Sequence, residues 1–165
     1  MRTAFNLLGP LTNPAVPAAQ VVGVPRPELT EFMAGCLRRL GVARAWVVHG
    51  SGLDEVSLCG PTRVTAFENG DLRTFTITPA DAGLDPCEAA ALRGGDAREN
   101  AEIARGVLEG RRGPARDVVV LNAAAALLVA GRARDLRAGA AEASAAIDDG
   151  RAGVLLRKIV EVSRA

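Results

Sequence analysis

Aromatic side chains are scarce in this chain of 165 residues: they make up 3% of it, with one Trp and four Phe. A core without them must be assembled from many small contacts, here mostly Ala, Val and Leu within a hydrophobic fraction of 48%. Histidine occurs once, at His49, and the three cysteines, Cys36, Cys59 and Cys87, are widely spaced with no C-x-x-C pair. This excludes a disulfide framework and a zinc site, and the chain reads as reduced and cytoplasmic. No set of residues suggests a nucleophile–base–acid triad. Charge of one sign is lacking too. The net charge of +1 leaves no field to attract nucleic acid or an anionic membrane. Lys158 is the only Lys, so basic charge is nearly all Arg. No apolar run approaches the ~20 residues of a membrane span, and no charged-then-apolar leader stands at the start. The expectation is a protein that is neither secreted nor membrane-spanning.

The length predicts a single domain over residues 1–165, since ~100–200 residues per domain is usual. Apolar spacing over residues 2–9 fits a short helix stopped by Gly9-Pro10, after which Asn13-Pro14 and Pro17 enforce an extended or turning path. Gln20–Val24 is a β-branched strand candidate. Pro25 to Leu40 places Leu29, Phe32, Met33, Cys36, Leu37 and Leu40 at helical spacing, and Ala45–His49 is the next apolar run. Strand, helix and strand in this order predict a βαβ unit with a parallel pair. Glu55–Leu58, Arg63–Phe67 and Leu72–Thr78 read as shorter strands, the last two joined by an Asn69-Gly70 hairpin turn.

From Asp81 onward the pattern turns helical. Asp96 with Glu99 forms a capping-box signal for a helix ending near Gly110. Gly113-Pro114 then breaks the chain, and helices are predicted over about 116–130, 135–149 and 151–163, with Gly131 and Gly150 as stops. The runs Ala123–Ala126 and Ala138–Ala146 predict helices that approach closely through small side chains. Arg111, Arg112 and Arg116, like Arg132, Arg134 and Arg137, sit near expected helix ends, where solvated or dipole-complementing charge is the ordinary role and phosphate binding the lesser alternative. The class is α/β, a mixed sheet with flanking helices.

Asp54 and Glu55 are the most suggestive chemical pair. On a regular strand they would point to opposite faces. Following Gly50 and Gly52 at the end of a predicted parallel strand, both can turn into one crevice, where open α/β sheets bind ligands. Two hard oxygen ligands suit Mg²⁺, which takes one or two carboxylates besides waters and phosphates; an exposed acidic loop is the plainer alternative. Gly50-Ser51-Gly52 is neither G-x-G-x-x-G nor a P-loop. His49 at a strand end reads as a structural hydrogen-bonding residue before a catalyst. Arg2 offers a planar fork that matches a carboxylate, or is simply a solvated terminal charge.

Residues 2–14, Arg-Thr-Ala-Phe-Asn-Leu-Leu-Gly-Pro-Leu-Thr-Asn-Pro, resemble the signature stretch of the anthranilate phosphoribosyltransferase family. His49 to Ser57, His-Gly-Ser-Gly-Leu-Asp-Glu-Val-Ser, resembles its acidic metal-binding motif. Asn122–Leu127 and Ala146–Ala152 are similar to its C-terminal helices. The resemblance implies a partial nucleoside phosphorylase/phosphoribosyltransferase-like α/β domain, and transfer of the phosphoribosyl group of phosphoribosyl pyrophosphate to anthranilate in tryptophan biosynthesis. It implies Arg2 as the anthranilate-binding residue and Asp54 and Glu55 as ligands of Mg²⁺. In the family a helical segment and a Gly-Thr-Gly-Gly-Asp phosphate loop precede the Arg-Thr motif. This chain therefore reads as the C-terminal portion of the larger domain, its partners being the missing N-terminal half or a homodimer mate. A truncated fragment that binds only Mg²⁺ or a partner chain, and a pyrimidine nucleoside phosphorylase relative, are the alternatives.

Overall fold

The β-branched run and the apolar run on either side of the first long helix both form strands, β1 (Ala19–Gly23) and β2 (Arg44–Gly50). The structure, a computed structural model, describes residues 8–68 and 70–164, so the helix expected over 2–9 lies almost wholly outside the described residues. β1 and β2 pair in parallel, Val21 opposite Trp46 and Val22 opposite Val47, and are connected by α1 (Leu29–Arg39). The antiparallel strands β3 (Thr62–Glu68) and β4 (Asp71–Ile77) complete a mixed sheet in the order β1-β2-β3-β4. The β3–β4 hairpin turns where expected. Gly70 there has φ of 93°, a left-handed conformation that glycine adopts without a Cβ penalty.

β2 is the centre of the core because both of its faces are covered. Ala45 and Val47 pack with Val22, Val24 and Phe67 against Met33, Ala34 and Leu37 of α1. Trp46 and Val48 point the other way, into a larger cluster with Leu121 and Ala124. The two-residue period separates these sets, and a strand buried on both faces reads as a continuous apolar run. The Phe75 ring meets Trp46 edge-on, centroids 5.5 Å apart at 79°.

The buried stripe of α1 is rotated from the expected one. Thr30, Met33, Ala34 and Leu37 are buried, whereas Phe32 is 62% exposed and Leu40 is also exposed. The hydroxyl of Thr65 on β3 donates to Thr30 Oγ1 at 2.9 Å, and Thr30 Oγ1 donates to the Pro27 carbonyl at 2.8 Å. This buried hydroxyl chain fixes the helix rotation, a constraint that apolar spacing does not register.

Below the opposite sheet face lie α2 (Ala97–Leu108), α3 (Pro114–Val129), α4 (Leu136–Asp148) and α5 (Arg151–Val162). The predicted capping box opens α2: the Asp96 carboxylate accepts from the Arg98 and Glu99 N–H groups, and Glu99 accepts from Asp96 N at 2.8 Å. Between β4 and α2 the chain makes only two short 3₁₀ turns, Pro79–Ala82 and Ala89–Leu92. Helix was expected from Asp81, but Gly83 in the left-handed region and Pro86 stop it from propagating. α3 and α4 pack through small residues. A Cβ on Gly139 would lie 2.8 Å from the Ala124 carbonyl oxygen, so only glycine permits that approach.

Candidate metal and substrate site

The carboxyl end of β2 opens directly into the acidic segment. Ser51 (φ 49°) and Gly52 (φ 88°) make the turn, and Gly50 and Leu53 exchange backbone hydrogen bonds of 2.9 Å in both directions. Asp54 and Glu55 come next, and the backbone then crosses the ends of β1 and β2. A Cβ on Gly23 would collide with the Asp54 carbonyl, and one on Gly50 would lie 2.5 Å from the Glu55 carbonyl oxygen. Glycine at both strand ends is what lets the loop sit so low.

The strand expected over Glu55–Leu58 does not form. Side chains take the places of a neighbouring strand: Val56 N donates to Asn122 Oδ1 at 3.0 Å, and Val56 O accepts from Asn122 Nδ2 at 2.9 Å. Asn122 Nδ2 also donates to the Val118 carbonyl of its own helix at 3.0 Å. Ser57 N donates to Thr62 Oγ1 at 2.9 Å. With these partners met locally, no ladder is needed. Asn122 is thus the residue that anchors the acidic loop to α3, a role that the sequence pattern does not single out. The signal available was a lone amide in an Ala-rich helix whose charged side chains, Arg116 and Asp117, lie in its first turn.

Asp54 is exposed and Glu55 half-buried. Burial, and then the neighbouring Asp54 charge, push the Glu55 carboxyl above its ordinary value of 4.5. The two carboxylates, adjacent in sequence, act on each other as like charges do. Among the described residues no cation lies within ion-pair distance of either. Nor do the described residues contain a cluster of three or more His, Cys, Asp and Glu able to hold a metal. Two hard, uncompensated oxygen donors fit Mg²⁺, which fills its other positions with water and phosphate.

His49 is structural, since its Nδ1–H donates to the Val24 carbonyl at 2.9 Å and ties the ends of β1 and β2 together. Arg2 lies outside the described residues, as does Asn6. Asn13 fixes its own turn by accepting from Ala15 N at 3.0 Å. Arg116 corrects the expectation of a solvated cluster: it is 2% exposed and grips Asp148 with Nη1–Oδ1 at 2.6 Å and Nη2–Oδ2 at 2.9 Å. That fork joins the start of α3 to the end of α4 and holds the Asp148 carboxyl below its ordinary range. Asp149 accepts from Arg151 N at 3.1 Å, starting α5.

Residues 1–153 match the family described as "Glycosyl transferase family, a/b domain". The chain belongs to that glycosyl transferase family. Its relatives in the family include the anthranilate phosphoribosyltransferase of Methylocella silvestris, 56% identical over 98% of this chain and 47% of the relative. The anthranilate phosphoribosyltransferase of Thermus thermophilus superposes with a TM-score of 0.91 at 44% identity, covering 100% of this chain and 49% of that one. The Saccharomyces cerevisiae enzyme in complex with PRPP and Mg gives 0.89 at 28% identity, covering 100% and 48%. The chain spans about half the length of the relatives it matches. The family resemblance seen at residues 2–14 and 49–57 is thereby borne out, as is the mixed α/β sheet. No helix among the described residues is long and apolar enough to cross a membrane.

Proposed function

We propose that this chain is the metal-binding, C-terminal portion of an anthranilate phosphoribosyltransferase, working in tryptophan biosynthesis in the cytoplasm. The observation that carries the reading is the Asp54–Glu55 pair at the carboxyl end of β2, set in a chain whose relatives bear that enzyme's name. Asp54 and Glu55 would hold Mg²⁺, which when bound offsets the charge that builds on a departing pyrophosphate. Gly23 and Asn122 set the height and position of their backbone. Arg2 would orient anthranilate by its carboxylate, a match its guanidinium makes with two parallel hydrogen bonds. Holding the amine of anthranilate near the ribosyl carbon supplies much of the remaining acceleration. The phosphate-binding part of the site, and any homodimer contact, would come from polypeptide beyond these residues.

The test is a single polypeptide in which the half of the Methylocella silvestris relative not matched here is joined ahead of this chain. Loss of anthranilate fluorescence with phosphoribosyl pyrophosphate and Mg²⁺ should follow, with no turnover of a pyrimidine nucleoside. Asp54→Asn together with Glu55→Gln should lower turnover about 100-fold or more. A folded but inactive polypeptide, or a double variant as fast as its parent, would defeat the reading.

A further inference from the structure

The wide sequence spacing of the cysteines conceals a pair that the fold brings together. Cys59 follows the acidic loop, and Cys87 lies between the two 3₁₀ turns that precede α2. Cys87 N donates to the Leu58 carbonyl at 3.1 Å, which sets residue 87 beside residue 59. The side chains meet as well. Burial pushes the Cys87 thiol above its ordinary value of 9.0, and the charge and hydrogen bond of the Cys59 thiol raise it further. Both residues are half-buried, and among the described residues no third ligand joins them to hold a metal. Cys36 sits apart, on α1 at the opposite face of the sheet. The backbone around Cys59 is already tied down. Asn122 holds Val56 through both N–H and C=O, and Ser51 Oγ donates to the Pro61 carbonyl at 3.1 Å. Cys59 N itself donates to Ser57 Oγ at 3.0 Å, so the residue is held in place next to its partner.

We propose that Cys59 and Cys87 are a reversible disulfide site, closed by a peroxide, that straps the acidic loop to the segment before α2. The peroxide oxidises one thiol to a sulfenic acid and releases one water. The other sulfur then displaces the hydroxyl, which leaves with that thiol's proton as a second water. Two thiols are oxidised to one disulfide, one peroxide is reduced, and no further reactant is needed. Thiols already in hydrogen-bond contact need only side-chain rotation to reach the S–S bonding distance of about 2.05 Å. The second step is fast because the resolving thiol is held at high effective concentration. Asp117 and Glu88 lay negative charge beside Cys87, which repels an anionic oxidant such as glutathione disulfide and favours a small neutral one. A disulfide of this kind suits a reduced compartment, where such bonds are transient and redox-sensing. The site stands on the fold and does not depend on which reaction the acidic loop serves.

The whole chain is treated with hydrogen peroxide at neutral pH, with and without urea, then alkylated and mapped by mass spectrometry without reduction. Under native conditions the Cys59–Cys87 linked peptides should exceed any linkage to Cys36 about tenfold or more. Dithiothreitol should restore both thiols, and urea should erase the preference. Cys59→Ser and Cys87→Ser should each abolish the link. In the oxidised chain, amide exchange over residues 53–60 should slow several-fold, while residues 151–162 exchange as before. Linkage spread evenly among the cysteines, sulfinic acid without linkage, a preference that survives urea, or unchanged exchange over residues 53–60 would each overturn the proposal.

Discussion

At the scale of single residues, the acidic loop depends on two positions that carry no charge. Asn122 meets three backbone groups with one amide, two of them on Val56. Hydrogen bonds of this kind contribute about 1 kcal/mol each, and half-buried partners left unmet cost more. Asn122→Ala should therefore lower unfolding stability by about 2–3 kcal/mol in urea titrations; an unchanged midpoint would show that the clamp contributes nothing. Gly23 acts by what it lacks. Gly23→Ala forces the Asp54 carbonyl upward, so Mg²⁺ affinity measured by calorimetry should fall further than stability does, and equal losses would mean that the loop merely unfolds. Neither residue is legible in the sequence. A clamp between positions far apart in sequence, and a missing Cβ under a crossing backbone, exist only once the chain has folded. Asp54 and Glu55 stand out in the sequence by residue type and local context, and their metal role belongs to the proposal above.

At the scale of elements, the strands and helices follow from apolar period and from glycine and proline punctuation, and they fail where tertiary hydrogen bonds substitute for regular ones. The βαβ unit, the hairpin and the capped α2 all match expectation. The segment after Glu55 does not, since Val56 and Ser57 find side-chain partners in place of a strand. The Arg116–Asp148 fork escapes the sequence because helix-end arginines are ordinarily solvated, and nothing in the sequence shows that α4 folds back to bury one. This fork gives the helical block a pH dependence of definite sign. Hydrogen bonds from Arg116 hold the Asp148 carboxyl below its ordinary value of 3.8, so its stabilisation is complete above that value and is lost as the pH falls through the depressed one. Glu55 runs the other way, its raised value making the fold slightly more stable as it protonates. Asp148→Asn should flatten the acid side of a melting-temperature profile taken from about pH 6 to about pH 3; an unaltered profile would remove the fork from the account. The α3–α4 seam is steric. Gly139→Val should cost about 1–3 kcal/mol by pressing on the Ala124 backbone, read as a lowered denaturation midpoint.

At the scale of the whole molecule, burial is uneven, and its gradient has a measurable consequence. β2 is covered on both faces and paired on both edges, so its amides can exchange only through opening of most of the fold. α5 has helical hydrogen bonds but buries no residue, and local opening there exposes almost nothing that was not already exposed. The free energy of such an opening lies near the low end of the range found within one protein. Hydrogen exchange of the chain alone should therefore show amides of residues 151–162 exchanging orders of magnitude faster than those of residues 44–50. Slow exchange of α5 in the chain alone would mean that its packing on α2 and α4 suffices, and that its exposed apolar side needs no partner to hold it.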